Sequence, residues 1–187
     1  PVAVTDLATL DAACGAVRDA FPNPWARGFS VKANDVTGIV RLVCERGYDA
    51  NVVSRGEWAV ARRAGVPNSR VTLEGIGKTD ADLRAAVRSA LEGDPIRWIA
   101  IESIDEAAAL VHIAARSGLD GGVVGGRRGR PAARRSLDVL FRLNPEVQPE
   151  THHGLAVGAA TSKFGMTATE LTEAVGIVAD SPGLVPR

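Results

Sequence analysis

Short apolar segments alternate with amphipathic segments along almost the whole chain, and this alternation restricts the fold more than any other feature of the sequence. After a lead-in, VAVTD, the apolar segments are FSVKA, ANVVS, RVTLEG, IRWIAIE and LDVLFRLN. Helical periodicity covers residues 7–20, 36–46, 55–64, 80–91, 104–117 and 168–179. Near-continuous apolar strands that alternate with helices predict an α/β fold, in which helices cover a parallel sheet.

The spacing of these units leaves two α/β architectures open. Strands recur about every 20 to 30 residues, which suits either an open doubly wound sheet or a (β/α)8 barrel. No G-x-G-x-x-G turn follows the first strand, which disfavours a dinucleotide-binding sheet. Several helix starts carry a hydroxyl residue followed three positions later by an acid, the pattern that caps the first amide groups of a helix. These pairs are Ser54 with Glu57, Thr79 with Asp82, Ser103 with Glu106, and Thr167 with Glu170.

The overall composition argues against several classes of function. The chain has 187 residues, of which 45% are apolar, enough to bury one sizeable core. Lys plus Arg and Asp plus Glu number 22 each, so no global charge attracts nucleic acid or an anionic membrane. No apolar run approaches the ~20 residues of a membrane helix, and no Cys/His spacing resembles a metal site. Cys14 and Cys44 are predicted to be reduced packing residues of a cytoplasmic protein.

Lysine is rare in this sequence, and one lysine lies in a predicted strand. The chain has 19 Arg but only three Lys, at positions 32, 78 and 163. In FSVKAND, residues 29–35, side chains alternate between two faces, so Lys32 lies opposite Phe29 and Val31. Arginine keeps its proton in proteins, whereas a desolvated lysine amine can lose it and form a Schiff base. Lys32 is therefore a candidate nucleophile for covalent chemistry.

Five segments, FSVKAND, ANVVSRGE, TLEGIGKTDADL, FRLNPEV and TSKFGM, together resemble a known enzyme family. Their order and spacing are similar to those of the pyridoxal-phosphate decarboxylases with an alanine-racemase-like barrel, most of all diaminopimelate decarboxylase and its relatives that act on basic amino acids. The resemblance implies a (β/α)8 barrel that binds pyridoxal 5'-phosphate at its C-terminal mouth. Five barrel strands are counted here, so residues 1–187 are expected to be the N-terminal part of the barrel domain, cut before the sixth strand. The remaining barrel and a C-terminal β-domain would then be absent.

The resemblance also assigns roles to individual residues. Lys32 matches the lysine that forms the Schiff base with the cofactor, at a strand end where desolvation and nearby cations would favour the neutral amine. Asn51 stands where the family usually has an aspartate beside the cofactor, and an asparagine there would keep a hydrogen bond but lose the charge. Glu57 matches a glutamate close to the active site, although its role as a helix cap explains it equally well. Arg142 is expected to project into the barrel near the cofactor ring, where a buried guanidinium needs an anionic partner.

Other positions bear on the substrate and on assembly. Glu74 and Ile76 stand where diaminopimelate decarboxylases more often have His and Asn, so the reaction class is better defined than the substrate. Lys163 matches a lysine that pairs across the dimer interface, which implies a homodimer with a shared active site. His152 falls on a family loop histidine, and loop ordering is expected of it rather than metal binding. Lys78 is expected to position the GIGK turn at the start of a helix.

The function that follows is pyridoxal-phosphate-dependent decarboxylation of a basic or diamino acid, such as diaminopimelate, lysine or ornithine, through Lys32. Two alternatives stay open. One is a pyridoxal-phosphate-dependent racemase, because the same adduct can lose a proton in place of its carboxylate. The other is an inactive barrel with a binding or regulatory role, which Asn51 favours. A half-barrel with exposed strand edges is itself expected to be inactive.

Overall fold

Helices and strands alternate through residues 4–124, 133–145 and 164–187, the part of the chain that the computed structural model describes. The helices are α1 Leu7–Ala20, α2 Thr37–Glu45, α3 Arg55–Arg63, α4 Asp80–Leu91, α5 Ile104–Ser117 and α6 Ala168–Ala179. The strands are β1 Gly28–Ser30, β2 Asp49–Val52, β3 Val71–Leu73, β4 Trp98–Ile101, β5 Val123–Val124, β6 Ala133–Arg134, β7 Leu137–Phe141 and β8 Leu184–Pro186. The predicted helices are confirmed to within one residue at each end.

The main sheet has six strands in the order β1-β2-β3-β4-β7-β8, and every pairing is parallel. Strands β5 and β6 form a separate antiparallel pair between β4 and β7 in the chain. Each strand of the main sheet therefore lies beside the one that precedes it, without the reversal of a doubly wound sheet. This sequential order is that of a barrel wall, which decides between the two predicted architectures.

The number of strands differs from the sequence prediction. Five barrel strands and a cut before the sixth were expected, but Leu184–Pro186 forms a sixth strand beside β7. Leu137 N donates to Gly183 O at 2.9 Å and Arg187 N donates to Val139 O at 3.0 Å, so both ends of β8 are bonded to β7. The lead-in segment is not a strand where it is described, because residues 4–6 run directly into α1.

Alternate strand residues form a fully buried apolar face. Ala50, Val52, Val71, Leu73 and Ile99 have 0% exposure and belong to one core cluster with side chains of α2 to α6. Burial of one aliphatic side chain of this size stabilises a fold by about 1.5–3 kcal/mol. Because side chains of a strand alternate, the intervening residues lie on the face away from these helices.

The predicted helix caps are confirmed. Thr79 with Asp82 and Thr167 with Glu170 close reciprocal capping boxes. None of the helices in the described part of the chain is both long and apolar enough to cross a bilayer.

Candidate active site

The C-terminal ends of the strands surround a cavity of about 410 Å³ on the face away from the helices. Its walls include the glycine-rich turn at residues 75–77 and the side chains of Lys32, Asn51, Val53, Glu74, Arg142 and Phe164. These residues come from the ends of β1, β2, β3 and β7 and from one later segment, and strand alternation places Asn51, Glu74 and Arg142 on the same face. Three of the four predicted cofactor-binding residues, Lys32, Asn51 and Arg142, are thus brought together.

Lys32 lies just beyond β1 and not within a strand. The strand ends at Ser30, and residues 31–33 form a single 3-10 turn anchored by the fully buried Val31. The predicted strand was therefore too long, since it included Lys32. The described residues leave Lys32 exposed, so this part of the chain does not supply the desolvation that was expected at this position. Its place at the strand end nevertheless puts the amine in the cavity wall.

Asn51 keeps a hydrogen bond within the sheet. Its side-chain amide donates to Thr72 Oγ1 at 3.2 Å, and the two residues are register partners of β2 and β3. On the next strand end, Glu74 Oε1 accepts a long hydrogen bond, 3.4 Å, from Trp98 Nε1. The wall beside Lys32 thus carries a neutral amide at position 51 and a carboxylate at position 74.

Glu57 caps α3 and does not line the cavity. Its backbone amide donates to Ser54 Oγ at 3.3 Å, and its carboxylate accepts from the backbone amide of Val53 at 3.0 Å. Val53 does line the cavity. The structure therefore shows the capping role of Glu57 and places it behind the wall, where it fixes the strand end.

Arg142 has the anionic partner that was expected for it. Its Nη1 lies 3.2 and 3.3 Å from the two carboxylate oxygens of Glu102, and its guanidinium carbon lies 4.8 Å from the ring centre of Phe164. The Arg142 side chain is 41% exposed, not buried as expected, whereas that of Glu102 is 4% exposed. Phe164 is held nearby because Met166 N donates to Arg142 O at 2.8 Å and Asn144 N donates to Met166 O at 2.7 Å.

A buried ion pair behind the cavity was not predicted. The side chain of Lys78 is 0% exposed, and its Nζ lies 3.0 Å from Glu106 Oε1 and donates to Gly75 O. Glu106 Oε2 accepts from the backbone amide of Glu102 at 2.9 Å. Burial raises the pKa of Glu106 above its ordinary value, and Lys78 opposes that shift. Lys78 does position the GIGK turn as expected, because it donates to Gly75 O, although α4 begins only at Asp80. For its second role, the ion pair with Glu106, the sequence offered only one signal, the rarity of lysine.

The remaining predicted residues, Lys163 and His152, lie outside the described residues. Within the ranges that the structure does describe, no group of three or more His, Cys, Asp or Glu side chains is placed to bind a metal ion.

Comparison with known proteins agrees with this geometry. The family model for pyridoxal-dependent decarboxylases, pyridoxal binding domain, matches residues 7–185. Diaminopimelate decarboxylase of Aquifex aeolicus is 36% identical over 155 residues, which are 83% of this chain and 32% of that protein. The enzyme of the same name from Actinosynnema pretiosum is 33% identical over 186 residues, 98% of this chain and 37% of that protein.

A solved structure extends the likeness to the fold. The crystal structure of diaminopimelate decarboxylase from Helicobacter pylori, complexed with L-lysine, superposes with a TM-score of 0.79 at 24% identity. The match covers 97% of this chain and 41% of that one. It confirms the predicted fold, an incomplete barrel, and the family model assigns that barrel to the pyridoxal-binding type. The chain spans about two fifths or less of the length of these relatives.

Proposed function

Since the chain belongs to the pyridoxal-dependent decarboxylase family, we propose that the full-length protein removes the carboxylate from a basic or diamino acid, with Lys32 as the covalent anchor of the cofactor. The observation that carries this proposal is the position of Lys32. Its side chain lines a cavity with Asn51, Glu74 and Arg142 at the C-terminal ends of the strands, where barrel enzymes have their active sites. Residues 1–187 would then be the N-terminal part of the cofactor-binding barrel, with the rest of the barrel and a β-domain supplied by further sequence.

The chemistry of the cavity wall fits pyridoxal phosphate. The wall offers a primary amine for an aldehyde, a guanidinium for an acceptor oxygen, and an aromatic ring at its edge. The two cations of the wall, Lys32 and Arg142, outnumber its one carboxylate, Glu74, which favours an anionic ligand.

When bound, pyridoxal phosphate supplies an aldehyde that bonds to amines and a ring that withdraws electrons from the carbon losing carbon dioxide. Lys32 would hold it covalently, and its exposed amine is accessible from the cavity. Arg142 would donate hydrogen bonds from the part of its guanidinium that Glu102 does not occupy. The Asn51 amide donates to Thr72, which leaves its carbonyl oxygen as an acceptor at the wall.

The substrate class follows from the relatives. All three relatives compared above carry the name diaminopimelate decarboxylase, and the Helicobacter pylori structure holds L-lysine. A small amino acid with a polar far end is therefore proposed, with diaminopimelate first. The homodimer with a site shared through Lys163 and the cytoplasmic location stay predictions from the sequence.

The test uses the full-length protein with and without Lys32. Purified wild type should be yellow with pyridoxal phosphate, and borohydride should fix the cofactor to Lys32 in a peptide map, because a lysine amine forms a reducible Schiff base with an aldehyde. Lys32→Ala and the charge-preserving Lys32→Arg should both lose the fixed cofactor and the release of carbon dioxide from diaminopimelate. Fixation at another lysine, or none in wild type, would refute the assignment; inversion of the substrate without carbon dioxide would indicate the racemase instead.

A further inference from the structure

Two ion pairs, Lys78 with Glu106 and Glu102 with Arg142, lie behind the wall of the cavity, and we propose that Glu102 is a positioning residue that fixes Arg142 toward the bound cofactor. The ion pair of Lys78 with Glu106 in turn fixes Glu102. This inference rests on the proposed function, because it takes the cavity to be the cofactor site.

The contact of Glu102 with Arg142 is built to orient the arginine. Glu102 directly follows β4 and is 4% exposed, so its carboxylate has little freedom. Both of its oxygens contact the same Nη1 of Arg142, and Phe164 lies over the guanidinium carbon. The arginine is thus restrained by an anion and by an aromatic ring while the rest of its guanidinium faces the cavity.

Glu102 is itself held from behind. Glu106 Oε2 accepts from the Glu102 backbone amide at 2.9 Å, and Glu106 Oε1 pairs with the fully buried Lys78 at 3.0 Å. Two ion pairs therefore extend from the turn after β3 to the residue after β7, and the backbone amide of Glu102 joins one pair to the other. Buried carboxylates persist when each has a cationic partner, and here each has one.

A comparison within the chain separates this arrangement from ordinary helix capping. Ser54 with Glu57 and Ser103 with Glu106 cap their helices in the same way, each glutamate accepting from the residue before the serine. In the first cap that residue is Val53, which carries no charge. Capping thus accounts for Glu106 in both its spacing and its bond, but it does not account for a buried carboxylate at position 102 or for a buried lysine behind it.

The experiment compares Glu102→Gln with Asp82→Asn in the full-length protein. Asp82 is a matched control, because it is also a buried carboxylate paired with a partly exposed arginine, Arg55, but it does not line the cavity. Glu102→Gln should weaken pyridoxal-phosphate binding by about tenfold or more, as measured by absorbance titration. This is the factor that one charge-assisted hydrogen bond supplies. Asp82→Asn should lower the melting temperature without changing that affinity.

A second measurement needs no cofactor. The rate at which phenylglyoxal modifies Arg142, read by peptide mass spectrometry, should rise several-fold in Glu102→Gln and stay at the wild-type value in Asp82→Asn. Glu102→Asp, which keeps the charge on a shorter side chain, should lie between the two and serves the comparison if Glu102→Gln does not fold. Unchanged Arg142 reactivity and affinity in the Glu102 variants would overturn the positioning role. Absence of cofactor at Lys32 in wild type would overturn the proposed function, while Arg142 reactivity would still decide whether Glu102 orients the arginine.

Discussion

Replacing Lys78 by methionine should destabilise the barrel domain more than the loss of a surface charge does. The substitution keeps much of the side-chain volume but leaves Glu106, 14% exposed, without its cation. Breaking a buried ion pair from one side costs about 3–5 kcal/mol. The lower end, about 3 kcal/mol, is expected here, because Glu106 retains its bond from the Glu102 amide. At about 2–4 °C per kcal/mol for a domain of this size, the melting temperature should fall by roughly 6–12 °C.

The loss should depend on pH in a defined direction. Burial raises the folded-state pKa of Glu106 above its ordinary value of 4.5, so the folded protein holds this proton more tightly than the unfolded chain does. The stabilisation that protonated Glu106 contributes is therefore fully present below about pH 4.5, the ordinary pKa, and is lost as the pH rises through the folded-state pKa. Removing Lys78 removes a group that lowers this pKa, and so moves it further up. The gap in melting temperature between wild type and Lys78→Met should accordingly be larger at pH 8 than at pH 5.5.

Differential scanning fluorimetry of the full-length variants measures both effects. Lys78→Met combined with Glu106→Gln should cost less than the sum of the single changes, by about 1–3 kcal/mol, because the second change removes the stranded charge. Arg84→Met is the control, since its pair with Asp80 is exposed on both sides and should move the melting temperature by less than about 2 °C. Two results would contradict the coupling of Lys78 with Glu106. One is a double variant whose loss of stability equals the sum of the single losses. The other is a difference in melting temperature between wild type and Lys78→Met that grows as the pH falls.

Two further predictions concern the backbone at two glycines and the thiol of Cys44. Gly165→Ala should destabilise the protein by about 1–3 kcal/mol, because the glycine has φ +74° and a Cβ would lie 2.9 Å from Arg142 O. Gly176→Ala, inside α6 with open space around it, should stabilise the protein by about 0.5–1 kcal/mol. Thermal melts in which both substitutions change the melting temperature in the same direction would contradict this. Burial raises the pKa of the Cys44 thiol to about 11, so iodoacetamide at pH 8 should leave Cys44 unmodified in the native protein and label it after unfolding, as read by mass spectrometry.

The elements with strong local signals could be predicted from the sequence. Helix α5 is an example, because Ser103 and Glu106 mark its start, and the predicted bounds equal the observed Ile104–Ser117. The same holds for the face on which the site residues lie. Arg142 was predicted to project into the barrel, and the structure places it in the cavity wall, although its side chain is 41% exposed and not buried.

Features that depend on contacts distant in sequence could not be predicted. Strand β8 has only three residues and includes a proline, too short for a periodic signal, and it exists because β7 offers it a row of backbone partners. The pairing of Lys78 with Glu106 joins residues from different β-α units, and nothing local distinguishes this lysine from a solvated one. The short extent of β1 is similar, because the turn after Ser30 follows from the burial of Val31 against neighbouring elements.

The core and the proposed site depend on the same alternation of side chains. Val52 faces the buried core while Asn51 and Val53 face the cavity, and Leu73 and Glu74 divide in the same way on the next strand. A slip of one residue in either pairing would exchange the two faces and bring an amide or a carboxylate into the apolar core. The apolar residues that stabilise the sheet thus also fix the register that brings the polar residues together at the strand ends. Core substitutions that preserve volume and register, such as Ile99→Leu, should consequently leave the geometry of the cavity intact, whereas a charged residue at such a position would disturb fold and site together.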